Sequence, residues 1–247
     1  MFASSVLVPS LMIVSSLLIQ RDSTTSHPVE LYISRFRVLC DTLNKLSIHV
    51  TLFLDKKIDL PYEFPNLKIN KISIDDLDSF NRMKNADIKK VMDAGNPGKN
   101  TLDYHIINNG KINLVNKVIE ESPNFDRYAW VDCGIIHMMQ KPEETISNLS
   151  NIYKTNTGVT IPGCHRNKSD YINYPNWRFC GSFFTGDVKS LKEMEKLSKQ
   201  TIDSIMPTAT WEVNIWAHME KNLGWNPNWY PADHNDSILR FPHEPMV

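Results

Sequence analysis

A chain of 247 residues, 41% hydrophobic and 22% charged, is long enough to close one α/β domain around a sizeable core and too apolar to remain disordered. Its 27 Lys and Arg stand against 28 Asp and Glu, a net charge of −1, which excludes the basic footprint of a general nucleic-acid binder. Four cysteines (Cys40, Cys133, Cys164, Cys180) lie far apart with no C-x-x-C pair, which argues against a zinc ribbon or a disulfide scaffold and leads us to expect a reducing, cytoplasmic setting.

The first twenty residues carry no charged side chain. They lack the basic start and A-x-A cleavage site of a secretory signal, and Pro9, Ser10, Ser15 and Ser16 break an apolar run too short to span a bilayer. Leu11 to Gln20 is therefore expected as a buried strand, with no transmembrane segment. A polar loop follows from Arg21 to Ser26. Val29, Ile33, Phe36, Cys40 and Leu43 recur at spacings of three and four, which predicts a helix over about 28–44. Ile48 to Leu54 is β-branched and apolar and ends at Asp55, so a second buried strand is expected, parallel to the first through a right-handed crossover.

Residues 55–100 are punctuated by Pro61, Pro65, Gly95, Pro97 and Gly98, with a short strand near Leu67–Ile72. Leu102, Ile106, Leu114, Val115 and Val118 give a helical pattern over 101–121, and Tyr128-Ala129-Trp130-Val131 reads as a short buried strand stopping at Asp132-Cys133-Gly134. Pro142 opens a helix. Strands are expected at 158–161 and 178–185, and helices over 188–205 and 211–221. No repeat or low-complexity linker interrupts this order. The fold class expected is α/β: one domain over 1–247 with a mostly parallel central sheet flanked by helices.

In open parallel sheets ligands bind outside the carboxyl ends of the strands, which makes Arg21, Asp22, Asp55 and Asp132 the first candidates. Asp132 is the most informative. It follows an otherwise apolar strand, and Gly134 two residues on permits a turn or a close approach to a ligand. A carboxylate there can hold a hard divalent cation that bridges a diphosphate, or it can simply cap a turn.

The ordered segments Leu17-Leu18-Ile19-Gln20-Arg21-Asp22, Val50 to Asp55, Gly110-Lys111, Tyr128 to Ile135, Gly181 to Gly186 and Trp211-Glu212-Val213-Asn214 resemble a GT-A-type nucleotide-sugar glycosyltransferase, and are most similar to the HtrL/YibB-type family. The resemblance runs from Leu11 to Ile238. It implies a Rossmann-like nucleotide-sugar-binding half over about 11–135, an acceptor-binding half over about 136–247, and a role in glycan biosynthesis. It also implies a nucleotide-sugar donor, a glycan, lipid-linked or protein acceptor, and a divalent metal, manganese or magnesium. On the acceptor side it points to Gly181, Ser182, Phe183 and Trp211. The family's Asp-x-Asp pair is incomplete here, because Gly134 stands at its third position. A late His or Asp often adds a metal ligand in such enzymes, which by resemblance is His234 or Asp233 beside Asp132.

Breaking the bond between an anomeric carbon and a phosphate leaves negative charge on the diphosphate, so fixed cations favour the transition state. Lys111 and Arg21 are candidates, although a Lys after Asn-Asn-Gly reads equally as a solvated charge. Glu212 or Asp187 is expected to be the acceptor-side general base, with Glu212 also readable as a first-turn helix acid. The rings of Trp177, Phe183, Phe184, Trp211, Trp216, Trp225, Trp229 and Tyr230 suit sugar stacking or core packing, and the stretch Trp225–Tyr230 reads as a lid. Asn148, Asn167 and Asn235 head chance sequons, and no P-loop, G-x-G-x-x-G or H-E-x-x-H motif is present. Two further readings stay open: a binding module that kept the fold and lost turnover, and a different nucleotide-dependent transferase.

Overall fold

The computed structural model describes residues 10–21, 28–93, 95–154, 157–167 and 172–241. Nine strands and seven α-helices are present among them, joined by short 3-10 turns. A seven-stranded sheet runs through β3 (Leu67–Ile72), β2 (His49–Asp55), β1 (Leu11–Leu17), β5 (Arg127–Val131), β7 (Phe183–Gly186), β6 (Thr160–Gly163) and β9 (Asn228–Pro231), in that spatial order. The first four are mutually parallel, with Ile13 opposite Val50 on one side and Ala129 on the other. β7 runs antiparallel to both β5 and β6, and β9 lies parallel to β6. A two-stranded parallel ribbon, β4 (Lys90–Val91) with β8 (Thr208–Ala209), stands apart from this sheet.

Helices cover both faces, as a parallel sheet requires. Period-two alternation sends Leu11, Ile13, Ala129 and Val131 to one face, where they pack with Phe36, Leu39 and Leu43 of α1 (Val29–Lys45) and Ile146 of α5 (Pro142–Ser147). Met12, Val14, Tyr128 and Trp130 turn to the opposite face and meet α4 (Lys111–Glu121), α6 (Val188–Ile205) and α7 (Glu212–Asn222) through Val115, Met194 and Trp216. The helical pattern over 101–121 resolves into two helices, α3 (Leu102–Asn109) and α4, because Gly110 closes the first and opens the second. Between β3 and β4 lies α2 (Asp78–Asn85).

Two expectations are corrected by the sheet. Trp229 and Tyr230 belong to edge strand β9, hydrogen-bonded in register with Ile161 and Pro162, so the stretch expected to form a lid is part of the scaffold. Residues 178–182, expected in a strand, form the irregular approach to β7. That approach is held by Arg178, whose buried guanidinium donates from Nε (2.8 Å) and Nη2 (2.7 Å) to Glu220 on α7 and from Nη1 to the carbonyls of His165 (3.0 Å) and Arg166 (3.1 Å). The guanidinium also lies 4.4 Å from the centre of the Trp229 ring.

Removing one partner of such a pair strands the other charge. Arg178→Met is expected to cost about 3–5 kcal/mol in urea denaturation. Lys56→Ala, at the exposed Lys56–Asp76 pair, is expected to cost under about 1 kcal/mol. Equal losses for the two variants would contradict this account.

Candidate functional site

The parallel half of the sheet changes direction between β1 and β5: β2 and β3 extend one way from β1, and β5 starts the other way. Outside the carboxyl ends of those two strands lies a cavity of about 400 Å³, bounded by Ser16 to Gln20 after β1 and by Asp132 to Ile135 after β5. This is the crevice where doubly wound sheets bind their ligands. A smaller cleft of about 150 Å³ adjoins it, bounded by Trp177, Gly181, Ser182, Trp211, Glu212 and His234. Tyr104, Lys111 and Asp132 line both.

Lys111 builds the junction. It is the first residue of α4, directly after the helix break at Gly110, and its residue is only 4% exposed. Its ammonium donates to Glu212 Oε1 (2.8 Å) and to the Gly181 carbonyl (2.9 Å) and lies 3.1 Å from Asp132 Oδ1. Burial disfavours the charge, but the Asp132 carboxylate and then the Glu212 carboxylate more than offset it, so Lys111 stays protonated well above the ordinary lysine range. Asp132 also accepts from Trp130 Nε1 (2.6 Å), and its backbone N–H donates to the Ser182 carbonyl (2.9 Å). Its side chain remains 36% exposed and faces the opening. Glu212 sits in the first turn of α7, where the helix dipole favours an acid. A side chain at position 181 would collide with the Glu212 carboxylate, so glycine there lets the carboxylate reach Lys111.

The other candidates distribute unevenly. Arg21 is not in the large cavity: its Nε (3.0 Å) and Nη2 (2.6 Å) bind buried Asp103 on α3, and its Nη1 binds Asp75 (3.0 Å). Asp55 is buried and accepts from the backbone N–H groups of Ile19 (3.1 Å) and Lys57 (3.0 Å), fastening the turn after β1 without lining the cavity. Asp22 lies outside the described residues. Gly134 has an ordinary φ of −91°, and the Tyr32 ring rests against it where a ligand was expected.

Asp187 is a correction. It follows β7, which runs opposite to β5, so it lies at the far end of the sheet from Asp132, where it caps α6 by accepting from Ser190 N (2.9 Å) and Gly158 N (2.7 Å). Phe183 is a second correction, fully buried and packed on Phe241 with ring centres 5.3 Å apart. Phe184, Trp216 and Tyr230 are likewise core, leaving Trp177 and Trp211 as the rings at the cleft, 5.2 Å apart and edge-to-face. Gly181, Ser182, Trp211 and Glu212 do come together there. Residue patterns did not single out Arg35, half-buried beside the Tyr32 ring, or exposed Lys99, 5.8 Å from the Trp211 ring. Both line the large cavity, and neither has a carboxylate partner among the described residues. Only their placement by α1 and by the turn before α3 reveals them.

A divalent metal held by Asp132 and His234 does not fit these donors. The third position of the motif is a glycine, and the Asp132 carboxylate already faces a buried ammonium and an indole N–H. His234 borders the same cleft, but its neighbours are Trp177, with ring centres 5.2 Å apart, and Cys164 and Asp233. The neighbouring Cys180 thiol and then the His234 ring lower the Cys164 thiol from its ordinary range.

No family model matches the chain, and no curated protein matches it. Among solved structures the chain is similar to a glycosyltransferase involved in the glycosylation of the major capsid of PBCV-1. That likeness covers 91% of this chain and 82% of the other, at 8% identity and a TM-score of 0.42.

Two predictions follow from the ion pairs. Lys111→Met leaves two carboxylates uncompensated and is expected to cost about 3–5 kcal/mol in urea denaturation. Adding Glu212→Gln to it is expected to recover part of that loss, and strict additivity of the two changes would refute the coupling. Burial raises the Asp103 pKa, but hydrogen bonds from Arg21 outweigh it and hold the carboxyl below its usual range. The stabilisation is therefore present above the unfolded value, near pH 4, and is lost as pH falls through the depressed folded value. The natural chain is expected to lose more stability between pH 7 and pH 3 than Arg21→Ala does.

Proposed function

We propose that this chain transfers a sugar from a nucleoside-diphosphate sugar to a glycan, lipid-linked or protein acceptor, with the donor in the large cavity and the acceptor in the aromatic cleft. The observation that carries the reading is the junction: an anion-attracting cavity and an aromatic cleft meet at Lys111 and Asp132. The large cavity is lined by three cations (Arg35, Lys99, Lys111) and one carboxylate (Asp132); counting Glu212, bound to Lys111 at 2.8 Å, the balance is 3 − 2 = +1, carried by Arg35 and Lys99 and suited to an anionic diphosphate. The half-buried Trp177 ring, backed by buried Trp211, borders the cleft and suits the C–H side of a sugar ring.

In this reading an acceptor hydroxyl attacks the anomeric carbon, the bond to the phosphate oxygen breaks, and the nucleoside diphosphate leaves with the bonding electrons. Glu212 takes the hydroxyl proton. Its Oε1 is engaged by Lys111, so Oε2 is the oxygen assigned to the proton. Lys111, Arg35 and Lys99 offset the charge that grows on the leaving group. No step is assigned to a metal. The likeness to the HtrL/YibB-type family is supported by the ordered sequence segments alone. Four free thiols support the reducing, cytoplasmic setting, and no helix among the described residues is long and apolar enough to cross a membrane.

A second reading, a nucleotide- or glycan-binding module without turnover, is kept by Gly134 in place of a second carboxylate. Thermal shift with UDP and GDP in the presence of a chelator tests the donor site, because a ligand of the folded state raises the melting point by mass action. Stabilisation that persists with chelator, and that Arg35→Ala with Lys99→Ala weakens at least tenfold, is expected. With a UDP- or GDP-sugar, Glu212→Gln is expected to lower kcat by about 10²–10⁴-fold with little change in nucleotide affinity. Nucleotide binding without transfer or donor hydrolysis would favour the binding module, and no binding of either nucleotide would overturn both readings.

A further inference from the structure

The expected metal partnership of His234 with Asp132 has poor donors, whereas another set converges on the same histidine. Cys164 directly follows β6, and Asp233 and His234 follow β9. These strands are parallel with Gly163 opposite Pro231, and the Ala232 N–H donates to the Gly163 carbonyl (2.9 Å), so their ends leave the sheet side by side. The chain returning toward β7 crosses this point: Cys164 N–H donates to the Trp177 carbonyl (3.0 Å) and Cys180 N–H to the Pro162 carbonyl (2.8 Å). A side chain at Gly163 would collide with the Arg178 carbonyl and the Trp229 ring, so this crossing needs glycine.

The consequence is a cluster of three ligand side chains, Cys164, Asp233 and His234, with the Cys180 thiol beside Cys164. Cys164 Sγ lies 3.7 Å from Cys180 Sγ and 3.9 Å from Asp233 Oδ1. Asp233 Oδ1 lies 3.8 Å from His234 Nδ1, and the ligand atoms of Cys164, Asp233 and His234 all fall within 4.8 Å of one another. Two sulfurs bound at ~2.3 Å to one tetrahedral ion lie about 3.8 Å apart. A disulfide would need about 2.05 Å. The spacing of the two sulfurs is that of ligands sharing an ion, and the Cys164–Asp233 (3.9 Å) and Asp233–His234 (3.8 Å) distances exceed tetrahedral edges by only a few tenths of an ångström.

We infer that Cys164, Cys180, Asp233 and His234 bind one soft divalent ion of the zinc class. Two thiolates and an imidazole select zinc over magnesium or manganese, which prefer all-oxygen ligands. Cys180 is buried, while Asp233 and His234 are exposed, giving the ion a route in from solvent. Binding displaces the Cys180 proton to solvent. The ion ties together the ends of β6 and β9 and the approach to β7, and it fixes the His234 ring against Trp177 at the rim of the aromatic cleft. Its role is to hold that wall of the cleft, and the inference is independent of the sugar-transfer reading.

Titration of the reduced, chelator-stripped protein with Co²⁺, a chromophoric stand-in for Zn²⁺, reads the site without donor or acceptor. One equivalent is expected to give thiolate-to-cobalt charge-transfer absorption with the intense visible bands of a tetrahedral ion, bleached by Zn²⁺ and not by Mn²⁺. Cys164→Ser and His234→Ala are each expected to weaken binding at least tenfold, and Asp132→Asn to leave it unchanged. In the natural chain, absence of the charge-transfer absorption, or bleaching by Mn²⁺, would overturn the inference. So would a Cys164→Ser, Cys180→Ser double variant that binds Co²⁺ as the natural chain does.

Discussion

A single buried ammonium holds the functional end of this molecule together. Lys111 joins the start of α4 to the residue after β5, to the first turn of α7 and to the approach to β7. An ammonium has three protons and no acceptor capacity, and here each proton has an oxygen to face. The satisfaction is what makes burial tolerable, since a charge removed from water without partners costs several kcal/mol. The same completeness makes the arrangement brittle: Gly181, Glu212 and Asp132 keep their positions only relative to one another.

The electrostatics explain why the two clefts differ in character. The junction contains two carboxylates and one ammonium, so it is net negative where it meets the aromatic cleft. The larger cavity draws its positive potential from Arg35 and Lys99, carried by α1 and by the turn before α3, outside the ion-paired junction. A fixed ammonium carries half the charge of a divalent ion, and Arg35 and Lys99 add positive charge at the rim.

Much of this was legible in the residues. The alternation of Leu11 and Ile13 with Met12 and Val14 reads as a strand buried on both faces, and Asp132 stands out as a polar residue ending the apolar run YAWV. Lys111 did not declare itself, because a lysine after a glycine looks the same whether it meets solvent or two carboxylates; its burial is decided by α7, about a hundred residues on, which brings Glu212 to it. Asp187 was misplaced for a geometric reason. Strand sense is absent from a strand's own residues, and the reversal of β7 sends the acid after it to one end of the sheet and the glycine before it to the other. Pro227 and Pro231 disguised β9, yet an edge strand tolerates proline where no ladder bond is lost. Cys164 and Cys180, sixteen residues apart, have no motif spacing and meet only because the chain doubles back across β6.

That doubling back has a modular consequence. The excursion from Cys164 to Ser182 leaves the sheet at β6 and rejoins it at β7; its described residues supply Trp177, Gly181 and Ser182 to the smaller cleft and do not line the larger cavity. Its ends are tied by main-chain bonds at Pro162 and Trp177, and its described interior is anchored on α7, where Asn214 donates to the Tyr174 carbonyl (3.0 Å) and accepts from the Asn176 N–H (2.9 Å). A change in the interior of this excursion would therefore reshape the smaller cleft beside the rings only if Asn214 kept its bonds to it.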